Sequence, residues 1–389
     1  MEGRKARNND AHYMPQLDGL RALAVGAVLI HHFFHPPRIG GVDIALLGVW
    51  LFFVLSGFLI TGILLRSRDQ IDFRGYDGGF VLRQFYVRRV LRIFPLYYFV
   101  LCAAAALNLA DVRETIFWHL AYISNYLFAT QHYWGPVTAH FWSLSVEEQF
   151  YLFWPALILF APRRHLLKLI ISAIATGPVF RAAAHFLDLN WIARLTVSPA
   201  SLDALGLGAL LAYCSHHAGE KPILVKRLHQ CVRWLAVPGL LLLLGLQKLE
   251  TYKLVGDVTA NSWFIEPTLW ALIFVWLIDR ASWRFTGVGG KFLELKPLTY
   301  TGKISYGIYI YHPFVYLLVP ALLRSTETNF FPLRLLEFVL LAGSTMGIAA
   351  LSWHFFENPI NLLKHHFDVA GQQPAEIDRP AKAVYLQPR

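Results

Sequence analysis

Residues 47–65 read LGVWLFFVLSGFLITGILL, nineteen residues without a charged side chain. Wound as a helix, a run of this length rises about 28 Å, close to the hydrocarbon thickness of a bilayer. Comparable stretches recur on both sides of it. The apolar segments are 17–35, 42–65, 91–110, 141–161, 165–187, 199–217, 234–249, 263–280, 300–323 and 334–357. They predict an all-α polytopic membrane protein with about ten transmembrane helices. The stretch 115–132 (TIFWHLAYISNYLFATQH) is different, because it is aromatic, carries His119 and Asn125, and lacks a long aliphatic run. It reads as an interfacial or re-entrant segment rather than a further span.

Composition narrows the function classes. Of 389 residues, 56% are hydrophobic and only 15% charged, against roughly 25% charged in a soluble domain. Intrinsic disorder is excluded, since it needs few apolar residues and high charge. Three cysteines, Cys102, Cys214 and Cys231, make no disulfide framework and show no zinc-ligand spacing, so no metal is expected. The net charge of +10 points to membrane orientation and not to nucleic acid. With ten spans and a cytoplasmic N-terminus, 27 of the 35 Lys and Arg fall on the cytoplasmic side and eight on the outer side. Both termini are therefore expected in the cytoplasm. The organisation is a basic N-terminus over 1–16, a transmembrane domain over 17–362 and a polar tail over 363–389, expected to be disordered. No cleavable signal peptide is visible, because the first apolar stretch holds Arg21, His31 and His32. No internal repeat and no appended soluble domain are visible either.

Ionisable residues inside apolar helices are costly and mark function. Arg21 and His32 are 11 residues apart, about 16 Å of rise and about 20° beyond three full turns, so they share a stripe of the first helix. An anchoring role, with Arg21 snorkelling to the interface, stands beside the functional one. In RRVLRIFPLYY (88–98), Arg89 and Arg92 share a helix face. Their forks suit phosphate, and they also suit a positively charged membrane anchor. In HFWSLSVEEQFYLFWP (140–155), Glu147 follows Ser143 by four on an aromatic helix. A carboxylate there either orients an imidazole or belongs to a helix cap built on Ser143 or Ser145. Ser305 and His312 lie in GKISYGIYIYHPF, with His312 about midway along its span. Glu357 in SWHFFENPI reads as a helix-end acid, with Pro359 stopping the helix.

The ordered set LDGLRALAVGAVLIHHF, LGVWLFFVLSGFLITGILL, FYVRRVLRIFPLYY, FWSLSVEEQFYLFWP, ISYGIYIYHPF and FFENP resembles the integral-membrane acyltransferase 3 family over about residues 13–362. That family includes O-antigen acetylases, nodulation-factor acetylases and macrolide acylases. The resemblance implies transfer of an acyl group, often acetyl, from acyl-coenzyme A as co-substrate to a hydroxyl of a carbohydrate or glycan, with no permanently bound cofactor. It implies His32 and Glu147 as catalytic residues, His32 as general base or transient acyl carrier. It implies Arg21, Arg89 and Arg92 as the acyl-coenzyme A site. The family's Gly-Val-Asp is here Gly48-Val49-Trp50, and Asp43 is a possible substitute if it lies on the same helix face. The hydrolase-like domain fused to some members is expected to be absent. The implied location is the plasma membrane, a bacterial inner membrane. A multi-span transporter or flippase of a glycan or lipid-linked substrate is the competing class.

Overall fold

The computed structural model describes residues 13–34, 43–132, 134–219, 222–251, 264–318 and 331–367. The basic stretch 1–12 and the tail from 368 onward lie outside the described residues. Among the described residues all regular structure is helical. Helices α1 (Pro15–Phe34), α2 (Ile44–Arg74) and α3 (Gly78–Ala106) come first. The segment expected to be re-entrant folds as α4 (Val112–Leu120) and α5 (Ser124–Gln131). At nine and eight residues neither reaches half of a bilayer. Then follow α6 (Phe141–Phe160), α7 (Arg163–Phe186), α8 (Trp191–Thr196), α9 (Leu202–His216), α10 (Pro222–Thr251) and α11 (Glu266–Ser282). The chain continues with α12 (Val288–Leu293), α13 (Lys296–Lys303), α14 (Ser305–Leu318), α15 (Phe331–Ser352) and α16 (Asn358–Leu362).

Among the described residues, five stretches are long and apolar enough to cross a membrane: α1, α2, α3, α7 and the run from Phe331 to Leu362. The protein is thus a multi-pass helical bundle. Helices α9, α11 and α14 have 15, 17 and 14 residues, short of the roughly 20 that a lone span needs.

Two expected elements differ. The stretch 300–323 is not one helix, because Ile304 sits in a turn between α13 and α14. Gly302 there presses on the Asp18 backbone of α1, an approach that leaves no space for a Cβ. Nor does Pro359 stop the last helix. Trp353–Glu357 form a π turn, and Pro359 sits in the first turn of α16, where its missing N–H has no intrahelical duty.

The core is built by close backbone approach. Gly57 of α2 lies against the Leu205 carbonyl of α9, and Gly208 of α9 lies against the Val54 carbonyl of α2. Without lipid–water contrast between helices, small residues that let backbones meet supply the packing. Phe53, Tyr97, Phe128 and Phe141 are among the largest fully buried side chains. Helix α1 is seated at its start, where the Gln16 amide donates to the Phe285 carbonyl at 3.0 Å and to Glu294 at 3.1 Å. Arg284 donates to the same carboxylate and holds the Glu294 carboxyl below its ordinary range. Helices α7, α9 and α11 are joined by a buried ion pair. Arg181 meets Asp203 at 2.7 Å and also donates to Thr268 and to the Phe264 and Ala200 carbonyls. Every donor nitrogen of that guanidinium is used, and Thr268 donates in turn to Asp203.

Candidate active site

A cavity of about 290 Å³ opens between α1, α2, α3, α6 and α14. Arg21, Arg89, Arg92, Glu147, Glu148 and Ser305 are among its walls. The helical spacing explains the convergence. Arg89 and Arg92, three apart on α3, both face inward, as do Ser143 and Glu147, four apart on α6. Arg21 is steadied from its own helix by Asp18 at 2.9 Å. Arg89 lies between two aromatic rings, 5.6 Å from the centroid of Phe85 and 5.7 Å from that of Tyr151. Such stacking holds a guanidinium with its hydrogen-bonding edge free for an anion. Ser305 opens α14, so the positive end of that helix's dipole also meets the cavity.

Glu147 accepts a hydrogen bond from Ser56, and Ser56 accepts from the Tyr151 hydroxyl at 2.9 Å. The chain Tyr151–Ser56–Glu147 therefore spans the cavity from α6 to α2 and back. Sequence reasoning missed Ser56 and Tyr151. Tyr151 follows Glu147 by four, a signal that was present. Ser56 is marked only as one of two hydroxyls, with Thr61, in the apolar run 47–65.

His32 belongs to a neighbouring group of rings. Its ring centroid is 5.1 Å from that of His31 and 4.9 Å from that of His312, and His312 lies 5.2 Å from His140. His140 and His312 are buried, at 5% and 0% exposure. The structure thus places Glu147 among the arginines and His32 among imidazoles. Ser143 and Tyr309 bridge the two groups. Both line the cavity, their hydroxyls are 2.7 Å apart, and Tyr309 also donates to the His140 carbonyl at 3.2 Å. Among the described residues no set of three or more His, Cys, Asp or Glu is arranged to hold a metal ion.

The remaining expected residues fall as follows. Ser143 and Ser145 do not cap α6. Their hydroxyls donate back to the carbonyls of His140 and Phe141, and α6 starts at Phe141 without a side-chain cap. Asp43 is the N-cap residue of α2, in extended backbone, and its side chain does not cap the helix. Trp50 is buried in the hydrophobic core. Glu357 is not an exposed helix end. It is 7% exposed and accepts from Ser352 at 2.9 Å, and Ser352 accepts from Tyr311 at 3.2 Å. Its carboxylate lies over Gly307 on α14. The π turn explains the burial, because the extra residue rotates Glu357 toward α14.

Behind α6, a second polar cluster fixes α4 and α5. His119 bonds Thr115 at 3.1 Å and Ser124 at 2.7 Å, while Tyr97 donates to the His119 carbonyl at 2.9 Å. Gln149 donates to the Tyr122 carbonyl at 2.7 Å and to Asn125 at 3.0 Å. Every polar group of His119 is satisfied inside the protein, which makes it a structural histidine.

A membrane-crossing helical bundle whose cavity sets three guanidiniums beside two carboxylates, next to clustered imidazoles, has the makings of an integral-membrane enzyme for an anionic substrate. The chain belongs to the acyltransferase family that its motifs resemble. The family described as an acyltransferase domain matches residues 14–354. Among similar proteins is an O-acetyltransferase OatA of Staphylococcus aureus (strain MRSA252), 29% identical over 397 residues covering 96% of this chain and 61% of the relative. A peptidoglycan O-acetyltransferase OatA of Listeria monocytogenes serovar 1/2a is 28% identical over 369 residues, covering 90% of this chain and 56% of the relative. The chain thus spans about three fifths of the length of the curated relatives it matches. No solved structure matches the chain.

Proposed function

We propose that this protein is a membrane-bound O-acetyltransferase that moves an acetyl group from acetyl-coenzyme A to a hydroxyl of a cell-wall glycan, with peptidoglycan as acceptor. The observation that carries the reading is the placement of three arginines in one cavity whose wall residue Tyr309 packs on His312, the ring that meets His32. The names of the relatives support the acetyl group and the glycan.

The donor's phosphates meet Arg21, Arg89 and Arg92, where guanidinium forks and the first turn of α14 favour anions. The thioester then reaches past Tyr309 toward His32. His32 takes the proton of the acceptor hydroxyl while the oxygen attacks the thioester carbonyl. The tetrahedral intermediate collapses, the C–S bond breaks, and the leaving thiolate receives the proton from His32. An acetyl group held briefly on His32 gives the same overall balance. General-base assistance of this kind contributes roughly 10²- to 10⁴-fold. Glu147, held by Ser56, sets the electrostatics of the donor arm beside Arg89. In this reading about ten spans cross the bilayer with both termini and the basic loops in the cytoplasm, so that the arginine end faces the coenzyme A pool.

The test uses the full chain in lipid nanodiscs, acetyl-coenzyme A and soluble peptidoglycan fragments. The expected result is acceptor-dependent release of the coenzyme A thiol, a glycan heavier by one acetyl unit, and loss of both in His32→Ala. Thiol release that ignores the acceptor, or a fully active His32→Ala, overturns the proposal.

A further inference from the structure

The two ring nitrogens of His312 are not equivalent. Nδ1 lies 2.7 Å from the carbonyl oxygen of Tyr309. A carbonyl only accepts, so Nδ1 carries the proton and Nε2 is left with a bare lone pair. That Nε2 is buried and has no hydrogen-bond partner among the described residues. An unpartnered acceptor in a packed interior is costly, and native proteins keep few of them.

The surroundings hold this ring in place. Tyr309, which supplies the carbonyl, is itself fixed by its hydroxyl to Ser143 and to the His140 carbonyl. The His140 ring stands edge-on to His312 at 5.2 Å. The His32 ring is at 4.9 Å, tilted by 49°. At that separation a ring nitrogen of one imidazole is within reach of the other after a small rotation.

We propose that His312 is a positioning residue for His32, its bare Nε2 accepting a hydrogen bond from the His32 ring once that ring carries the acceptor's proton. This deepens the proposed function and rests on its reading of His32 as the base. Neutral His32 has one N–H. After it takes the hydroxyl proton it has two, and a buried imidazolium needs an acceptor for each. His312 offers one without bringing a second charge into the interior. No proton moves to His312. The proton stays on His32 until the thiolate leaves, and then passes to the sulfur.

The experiment compares His312→Phe, which fills the site without an acceptor, with His312→Gln, whose side-chain oxygen reaches about as far as Nε2. Both are assayed in nanodiscs with acetyl-coenzyme A and peptidoglycan fragments, beside His32→Ala. We expect His312→Phe to lower kcat by about 10- to 100-fold, the share of a hydrogen bond to a charged group, with the KM for acetyl-coenzyme A unchanged. His312→Gln should recover most of that loss. If His312→Phe fails to reach nanodiscs, His312→Met replaces it in the comparison. Three results each overturn the proposal: an acceptor-less variant within about twofold of wild type, a glutamine variant no faster than it, or a raised KM in place of a lowered kcat. An inactive His32→Ala alongside a normal His312→Phe removes the positioning role alone. An active His32→Ala removes the base assignment as well.

Discussion

Ser143 on α6 and Tyr309 on α14 meet through their hydroxyls at 2.7 Å, although 166 residues separate them in the chain. The contact joins the arginine-lined cavity to the imidazole group, since both residues line the cavity and Tyr309 also holds the His140 carbonyl. It ties the helix bearing Glu147 to the helix bearing His312.

Tyr309→Phe tests that tie. The ring and its packing remain, and the buried His140 carbonyl and Ser143 hydroxyl lose their contact with the Tyr309 hydroxyl. Stability should fall by about 1–2 kcal/mol, and kcat should fall more than the KM for acetyl-coenzyme A rises. Thermal unfolding and steady-state kinetics on the same nanodisc preparation check both, and Ser143→Ala should give a smaller effect of the same pattern.

Arg92→Ala addresses the donor. Removing one arginine from an anion site costs about 1.5–3 kcal/mol of charge-assisted hydrogen bonding, or about 10- to 100-fold in affinity. The expected result is a raised KM for acetyl-coenzyme A with little change in the apparent KM for glycan. Arg92→Lys should recover only part, because an ammonium lacks the planar fork. Direct titration with coenzyme A gives the same comparison without turnover.

The ion pair of Arg181 and Asp203 governs folding and not chemistry. Arg181→Met leaves a buried, unpaired carboxylate and should destabilise by about 3–5 kcal/mol. The double variant Arg181→Met, Asp203→Leu should recover a large part of that loss. Yield of folded protein in detergent and its unfolding temperature report the difference. Per folded molecule, activity should stay near wild type.

His119 predicts an acid limit to stability. Burial pushes its imidazole down to about 4 from an ordinary value of 6.5. A depressed folded value means the stabilisation is fully present above 6.5 and is lost progressively as pH falls from 6.5 toward 4. Over that window the loss amounts to about 3 kcal/mol. His119→Gln keeps hydrogen-bonding capacity without the titration, so its unfolding temperature should vary less between pH 7.5 and pH 5 than that of wild type.

Much of the fold and the candidate site was legible in local pattern. A nineteen-residue uncharged run can only be stable in a bilayer or a buried core, because a helix satisfies its own backbone. The 3.6-residue period then decides which neighbours on one helix share a face. That is why Arg89 with Arg92, and Ser143 with Glu147, are found lining one cavity. The aromatic stretch 115–132, expected to be interfacial or re-entrant because it lacks a long aliphatic run, folds as α4 and α5.

Other features were decided only by contact between helices. Local periodicity says nothing about which helix a face will meet, so the approach of His312 to His32 and to His140 and the seating of Ser56 on Glu147 were not readable. The break at Ile304 follows from Gly302 pressing on α1, and the burial of Glu357 follows from a π turn against α14. The helix cap offered by Ser143 or Ser145 does not form, at Ser143 for a related reason. A hydroxyl that has a long-range partner and a nearby carbonyl is not held to the helix end that its sequence position offers. Local pattern was enough to make the chain a helical member of an acyltransferase family with arginines, glutamates and histidines on particular faces. The tertiary structure alone decided which of those faces meet, because polar groups buried in a bundle find their partners across helices and not along them.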